Sequence, residues 1–260
     1  MNSHYNNQYF NSSIFEYNYV PVAEAILNQY NPKSVIEFGC GNGELSKALA
    51  KWGIEVTATD GFANPDFGSI DNITFLKIDL NDPESIDKYL TSINRKYDVA
   101  ICLEVAEHIH PSISELLICL LTKVSDVVIF SAAIPGQDGE GHINCRSRTF
   151  WHEQFEKNNF FLRDSIRSQI RDSAHVGIWY ALNAVDYVRS TMEPTIEEYK
   201  KTISNLVASE SAASSQFYLV NRKLEYKNQL LRMDIIWKAY KFRNTLKKIL
   251  GKHPNPFDKY

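Results

Sequence analysis

Val35-Ile36-Glu37-Phe38-Gly39-Cys40-Gly41-Asn42-Gly43-Glu44-Leu45-Ser46 is the stretch whose reading decides the fold. The apolar run from Ser34 to Phe38 reads as a buried parallel strand. Glycines at 39, 41 and 43 predict a tight turn, with positive φ and no Cβ to hold a ligand off the backbone. Glu44 to Lys51 predicts a helix, whose first turn offers N–H groups without partners. The spacing is G-x-G-x-G, and an acid stands two residues before the first glycine. Both details depart from the dinucleotide pattern G-x-G-x-x-G. A carboxylate at Glu37 suits a sulfonium or an ammonium group and repels a pyrophosphate.

V-I-E-F-G-C-G-N-G resembles motif I of the class I S-adenosylmethionine (SAM) methyltransferases. The resemblance implies an α/β, Rossmann-like fold with a seven-stranded, mostly parallel sheet and helices on both faces. It also implies SAM contacts from Glu37, Gly39, Cys40, Gly41 and Gly43. A generic glycine turn and an NAD(P)-binding oxidoreductase are the rival readings.

Further strands follow at the spacing of a doubly wound sheet. Glu55 to Thr59 is β-branched and ends at Asp60-Gly61, where an acid can accept both ribose hydroxyls. Ile73 to Ile78 ends at Asp79-Leu80. The resemblance places the adenine amino group on that acid and the ring on the next N–H, while Asp79 reads equally as a helix cap. Asn81-Asp82-Pro83-Glu84 reads as a helix start.

Asp98 to Leu103 is a fourth strand, followed by Glu104-Val105-Ala106-Glu107-His108-Ile109. D-V-x-x-x-x-E-V-x-E-H-I resembles motif IV of a methyltransferase subgroup acting on small molecules and sugars, which implies cofactor contacts at Leu103 and Glu104. It departs from the N-P-P-Y motif of DNA and protein amide methyltransferases. Ser112-Ile113-Ser114-Glu115 reads as a capping box.

Val127 to Ala132 is a fifth strand and leads into the loop Ile134 to Asn144, whose glycines and proline suit an active-site loop. A helix from about Ser147 to Asn158 carries Phe150, Trp151 and Phe155, expected to face inward with Phe161. Residues 160–163 and Val185-Asp186-Tyr187-Val188 predict an antiparallel hairpin closing the sheet. G-H-I-N (141–144) with Trp179-Tyr180-x-x-Asn183 resembles O-methyltransferases encoded among cell-surface polysaccharide genes. That implies acceptor contacts at Asp138, His142, Trp179, Tyr180 and Asn183, and a sugar hydroxyl as methyl acceptor. A natural product or quinone-like molecule is the alternative acceptor, and a SAM-binding scaffold without catalysis is the alternative role.

Methyl transfer to a hydroxyl is an in-line displacement that also removes a proton. Histidine serves best near neutral pH, so His142 is the first candidate for the base and His108 the second. His108 stands one helical turn from Glu104, within reach of a hydrogen bond if that segment is a helix. Glu104, His108, Asp138 and His142 would allow a metal, but no spacing demands one and none is expected.

With 260 residues and 44% hydrophobic content, the chain can bury one α/β domain with appendages. The net charge of −3 excludes a nucleic-acid-binding composition. Four cysteines without C-x-x-C spacing read as free thiols of a cytoplasmic protein. Residues 1–30 form an Asn/Tyr-rich segment with Phe10, read as a lid or a loose terminus, and a helix opened by Pro21. Residues 31–190 form the SAM domain, and 191–260 a helical extension. From Asn221 the extension holds 11 Lys+Arg against 3 Asp+Glu, with Leu231, Ile235, Lys238, Phe242, Leu246 and Ile249 on one helical stripe. That stripe suits the inner membrane surface, a partner enzyme, or a second copy in a homodimer.

Overall fold

The computed structural model describes residues 7–10, 17–137, 139–171, 173 and 176–192. The basic stripe beyond Asn221, the rest of the extension from 193 and Asp138 lie outside the described residues.

Helices α1 (Asn7–Phe10) and α2 (Val20–Tyr30) precede β1 (Ser34–Phe38). Then come α3 (Glu44–Ala50), β2 (Glu55–Asp60), β3 (Ile73–Lys77), α4 (Pro83–Ser92) and β4 (Val99–Leu103). A 3-10 turn (Pro111–Ile113), α5 (Ser114–Val124), β5 (Val127–Ser131), α6 (Arg148–Lys157) and β6 (Phe160–Leu162) follow. Two short helices, α7 (Arg167–Ile170) and α8 (Ile178–Asn183), lead to β7 (Val185–Arg189). The strand order is β3-β2-β1-β4-β5-β7-β6, with β1 to β5 parallel and β7 antiparallel to both neighbours. This is the class I methyltransferase arrangement expected from the motifs. The order reverses between β1 and β4, so the ligand crevice lies beyond their carboxyl ends.

Alternation along the buried strands builds two cores. Ile36, Phe38, Ala100, Cys102, Val128 and Phe130 face the side covered by α4, α5 and α6. Val35, Val99, Ile101, Val127 and Ile129 face α2, α3 and α7. A strand buried on both faces therefore reads as a continuous apolar run. The closing hairpin is pinned by Asp186, which is fully buried and accepts from Ser165 N, Ser165 Oγ, Ile166 N and Tyr30 Oη. Tyr30 thus ties the end of α2 to β7.

Two local expectations are corrected. The capping box does not form: Pro111 opens a 3-10 turn, and the Ser112 hydroxyl stands 2.8 Å from His110 Nδ1. Ser114 instead accepts from Asn144 Nδ2 at 3.0 Å. In the hairpin, Phe160 takes the fully buried place and Phe161 is only half-buried, because successive residues of β6 point to opposite faces of the sheet.

Candidate active site

The glycine turn after β1 is held by its own backbone. Gly39 N and Cys40 N donate to Thr59 O at 2.8 and 2.9 Å, and Gly43 N donates to Cys40 O at 2.9 Å. All three turn glycines have positive φ, of 74°, 54° and 78°. At Gly39 the requirement is double, since a Cβ there would stand 2.4 Å from Val105 Cγ2. The turn after β1 and the turn after β4 are therefore packed directly on one another.

Glu37 is 6% exposed, and Ser46 Oγ donates to its Oε2. Burial pushes its carboxyl up to about 7, and the nearby charge of Asp60 adds to the shift. Asp60 accepts Gly41 N on Oδ2 at 3.0 Å, and Phe62 N and Ala63 N on Oδ1 at 2.7 and 2.8 Å. A carboxylate has about four acceptor positions, so one lone pair on Oδ2 is left for a ribose hydroxyl. Gly61 lies against the next strand end, where its Cβ would be 2.9 Å from Asp79 Cα. Asp79 Oδ1 accepts Asn81 N at 2.8 Å in a turn ahead of α4, whose cap is Asp82 accepting Glu84 N, while buried Leu80 continues the wall.

Leu103 closes β4, and Glu104 leaves it with φ 54°, a left-handed conformation that glutamate seldom adopts. Its N–H donates to Ser131 O and Ser131 Oγ at 3.1 and 2.9 Å. Its Oε1 accepts Asn183 Nδ2 at 3.4 Å, and Asn183 also reaches Gln137 Oε1 at 2.9 Å. Arg148 joins this group by donating to Asn183 Oδ1 at 3.3 Å. Burial raises the Glu104 carboxyl. Glu107 is wholly buried and raised further, by burial and then by the charge of Glu104. Its Oε1 accepts Ala133 N at 3.2 Å, no N–H donor reaches its Oε2, and the Glu104 carboxyl meets it side chain to side chain.

The run from Glu104 to His108 is a series of turns, so the one-turn helical spacing between those two residues does not apply. His108 meets His142 instead, edge to face at 4.8 Å between ring centroids. Burial drives the His108 imidazole down to about 4, helped by His142. His142 Nδ1 lies 2.9 Å from the Gln137 carbonyl. A carbonyl only accepts, so Nδ1 carries the proton and Nε2 presents a lone pair. Glu107, His108 and His142 each bring one ligand atom within 4.8 Å of the others.

Trp179 and Tyr180 lie on α8 and meet the N-terminal segment. Tyr17 packs edge-on against Trp179 at 4.8 Å, and Tyr19 lies 5.8 Å from Tyr180 with a side-chain hydrogen bond between them. Burial raises the Tyr180 phenol, with Tyr19, Glu104 and Glu37 adding to the shift. Burial likewise raises Tyr9 of α1, and Glu140 and Glu107 act on it too. Tyr9, Tyr17 and Tyr19 thus lie against residues of the candidate site. Gln137, Arg148 and Glu107 were assigned no role from sequence. Of these, Glu107 alone lay inside a quoted motif.

A family model for the methyltransferase domain matches residues 15–172. The chain belongs to that family. It carries a class I SAM-dependent methyltransferase domain. The ubiquinone biosynthesis O-methyltransferase of Serratia proteamaculans is 29% identical over 107 residues, 38% of this chain and 42% of that protein. The Rickettsia bellii enzyme of the same name is 31% identical over 106 residues, 40% of this chain and 43% of its own. The methyltransferase thus spans about two fifths of the length of the curated relatives it matches. Magnesium protoporphyrin IX methyltransferase from Synechocystis PCC 6803, solved with bound SAH, is 22% identical with a TM-score of 0.48, over 65% of this chain and 80% of that one.

The residues fit the cofactor. Three left-handed glycines bare the backbone, Glu37 offers a negative charge to a cationic ligand, and Asp60 keeps one acceptor position. Among the described residues, no helix is long and apolar enough to cross a membrane.

Proposed function

We propose that this methyltransferase carries the methyl group of SAM to a sugar hydroxyl of a cell-surface polysaccharide or of its lipid-linked precursor, at the cytoplasmic face of the membrane. The observation that supports it best is the His142 tautomer. With Nδ1–H fixed on the Gln137 carbonyl, Nε2 is free to take the proton of an approaching hydroxyl. His108 faces it, and burial keeps the His108 imidazole neutral, so that ring adds no positive charge to oppose the sulfonium. Beside the pair stand Gln137, Asn183, Arg148 and Glu104, a run of donors and acceptors suited to a polyhydroxylated ring. Glu37, Gly39, Cys40, Gly41, Gly43, Asp60, Gly61, Asp79, Leu80, Leu103 and Glu104 serve SAM in this reading. Asp138, Trp179 and Tyr180 serve the acceptor with His142 and Asn183. The basic segment beyond Asn221 would be drawn to anionic lipid, where a lipid-linked acceptor is displayed.

A quinol-type phenolic hydroxyl is the second reading, favoured by the match to ubiquinone biosynthesis O-methyltransferases. Incubation with methyl-labelled SAM and separated cell-envelope fractions tests both. Label in glycan or glycolipid supports the first, and label in a quinone fraction the second. Label confined to protein or nucleic acid overturns the two together.

A further inference from the structure

We infer that Glu107, His108 and His142 form a binding site for one divalent first-row transition ion. The inference rests on the reading of this corner as the acceptor side, and it deepens that reading. Glu107 carries the argument: it is 0% exposed, no N–H donor reaches its Oε2, and the side chain that meets it is the like-charged carboxyl of Glu104. A buried carboxylate oxygen without a donor is costly and calls for a positive charge. The ligand atoms of the trio already lie within 4.8 Å of one another. A tetrahedral cation at about 2.0–2.2 Å from each holds its ligands about 3.3–3.6 Å apart, so the trio must close around it by up to about 1.5 Å, within the reach of side-chain rotation.

The surroundings have the form of a metal site's outer layer. His142 gives its Nδ1–H to the Gln137 carbonyl, which fixes the ring and leaves Nε2 to coordinate. Glu107 Oε1 is held by Ala133 N, which turns the carboxylate while sparing Oε2. Gly139 keeps the approach clear, since a Cβ there would stand 2.3 Å from His142 Nε2. Glu104, whose charge acts on Glu107, makes the corner doubly acidic, and a dication relieves that repulsion. Two imidazoles and one carboxylate select Zn²⁺, Mn²⁺, Fe²⁺ or Co²⁺ over Mg²⁺ or Ca²⁺ and leave coordination positions open.

An acceptor hydroxyl in an open position becomes more acidic on the cation. Its O–H bond breaks and the proton passes to solvent. The oxygen then forms the O–CH₃ bond as the S–CH₃ bond breaks, and neutral S-adenosylhomocysteine leaves. Without an ion the lone pair of His142 Nε2 takes the proton; with an ion bound that lone pair would hold the ion, which would then supply the activation.

Cobalt(II) titration of the chelator-treated full chain tests this without any acceptor present. Visible d–d bands that saturate at one equivalent, with Zn²⁺ displacing the cobalt and Mg²⁺ failing to, are the expected result. Glu107→Gln and His108→Ala should each weaken cobalt binding at least tenfold while S-adenosylhomocysteine still binds, which shows that the fold is intact. A wild-type protein that binds S-adenosylhomocysteine but gives no cobalt spectrum overturns the inference, as does unchanged binding in both variants. Cobalt binding by a chain that methylates no hydroxyl would sink the functional reading alone. Hydroxyl methylation by a chain that binds no ion would sink this inference alone.

Discussion

Gly39 and Val105 are in such close contact that a Cβ on the glycine would stand 2.4 Å from Val105 Cγ2. One residue belongs to the turn that meets the cofactor, the other to the turn that leads to Glu107 and His108. In the proposed reading their contact sets the distance between the methyl donor and the groups that handle the acceptor. Gly39→Ala combines a side chain at φ 74° with that clash. Left-handed strain of about 1–2 kcal/mol and overpacking of about 1–3 kcal/mol should both appear in denaturant unfolding. Adding Val105→Ala should recover only the overpacking part. Full recovery in the double variant would mean that the backbone conformation costs nothing.

Asp60→Ala should weaken S-adenosylhomocysteine binding by about 1–3 kcal/mol through the lost hydrogen bond, as read by calorimetry. The same change orphans the amides of Gly41, Phe62 and Ala63, so the melting temperature should fall as well. An affinity unchanged beside a lowered melting temperature would restrict Asp60 to shaping the turn.

Glu37 gives a pH signature. Its carboxyl is raised from 4.5 to about 7 in the folded chain, so between those values the folded state holds a proton that the unfolded state has released. Stability from this group is therefore fully present below pH 4.5, declines as pH rises toward 7 and is flat above it. Glu37→Gln should remove that slope from the stability profile. A cation beside Glu37 favours its ionised form, so SAM binding at pH 6 should release a proton, and affinity should rise toward pH 8. Calorimetry in buffers of different ionisation enthalpy measures this, and proton uptake on binding would contradict it.

Much of this was legible because it is local. A turn that demands three positive φ values can be met cheaply only by glycine, so Gly39, Gly41 and Gly43 announce it. Strands buried on both faces must be apolar throughout, which made β1, β4 and β5 plain. The acceptor side was less legible because its contacts join distant segments. Asn183 was quoted for its motif, yet nothing in sequence tells that it bridges Glu104 and Gln137, or that Arg148 holds it from α6. Glu107 stood in full view between Val105 and His108, but its significance lies in complete burial with an oxygen that no N–H donor reaches, which spacing does not reveal. The helical spacing of Glu104 and His108 misled because Glu104 turns left-handed and breaks the helix before it starts.

His142→Ala should lower kcat by about two to four orders of magnitude while S-adenosylhomocysteine affinity stays within about twofold, since the ring lies in the loop after β5, which the proposed function assigns to the acceptor. Single-turnover kinetics with a soluble acceptor would read it. Wild-type turnover in this variant together with a dead His108→Ala would reverse the two roles.

The central claim is methyl transfer from SAM to a hydroxyl oxygen. Its most direct test is proton–carbon NMR of the product formed by the full chain from methyl-¹³C SAM and a cell-envelope glycan extract. The expected result is a single enriched methyl signal coupled across oxygen to one ring carbon of a sugar, absent when His142→Ala replaces the wild type. An enriched methyl bonded to nitrogen or carbon, or no enriched product from a protein that demonstrably binds SAM, would contradict it.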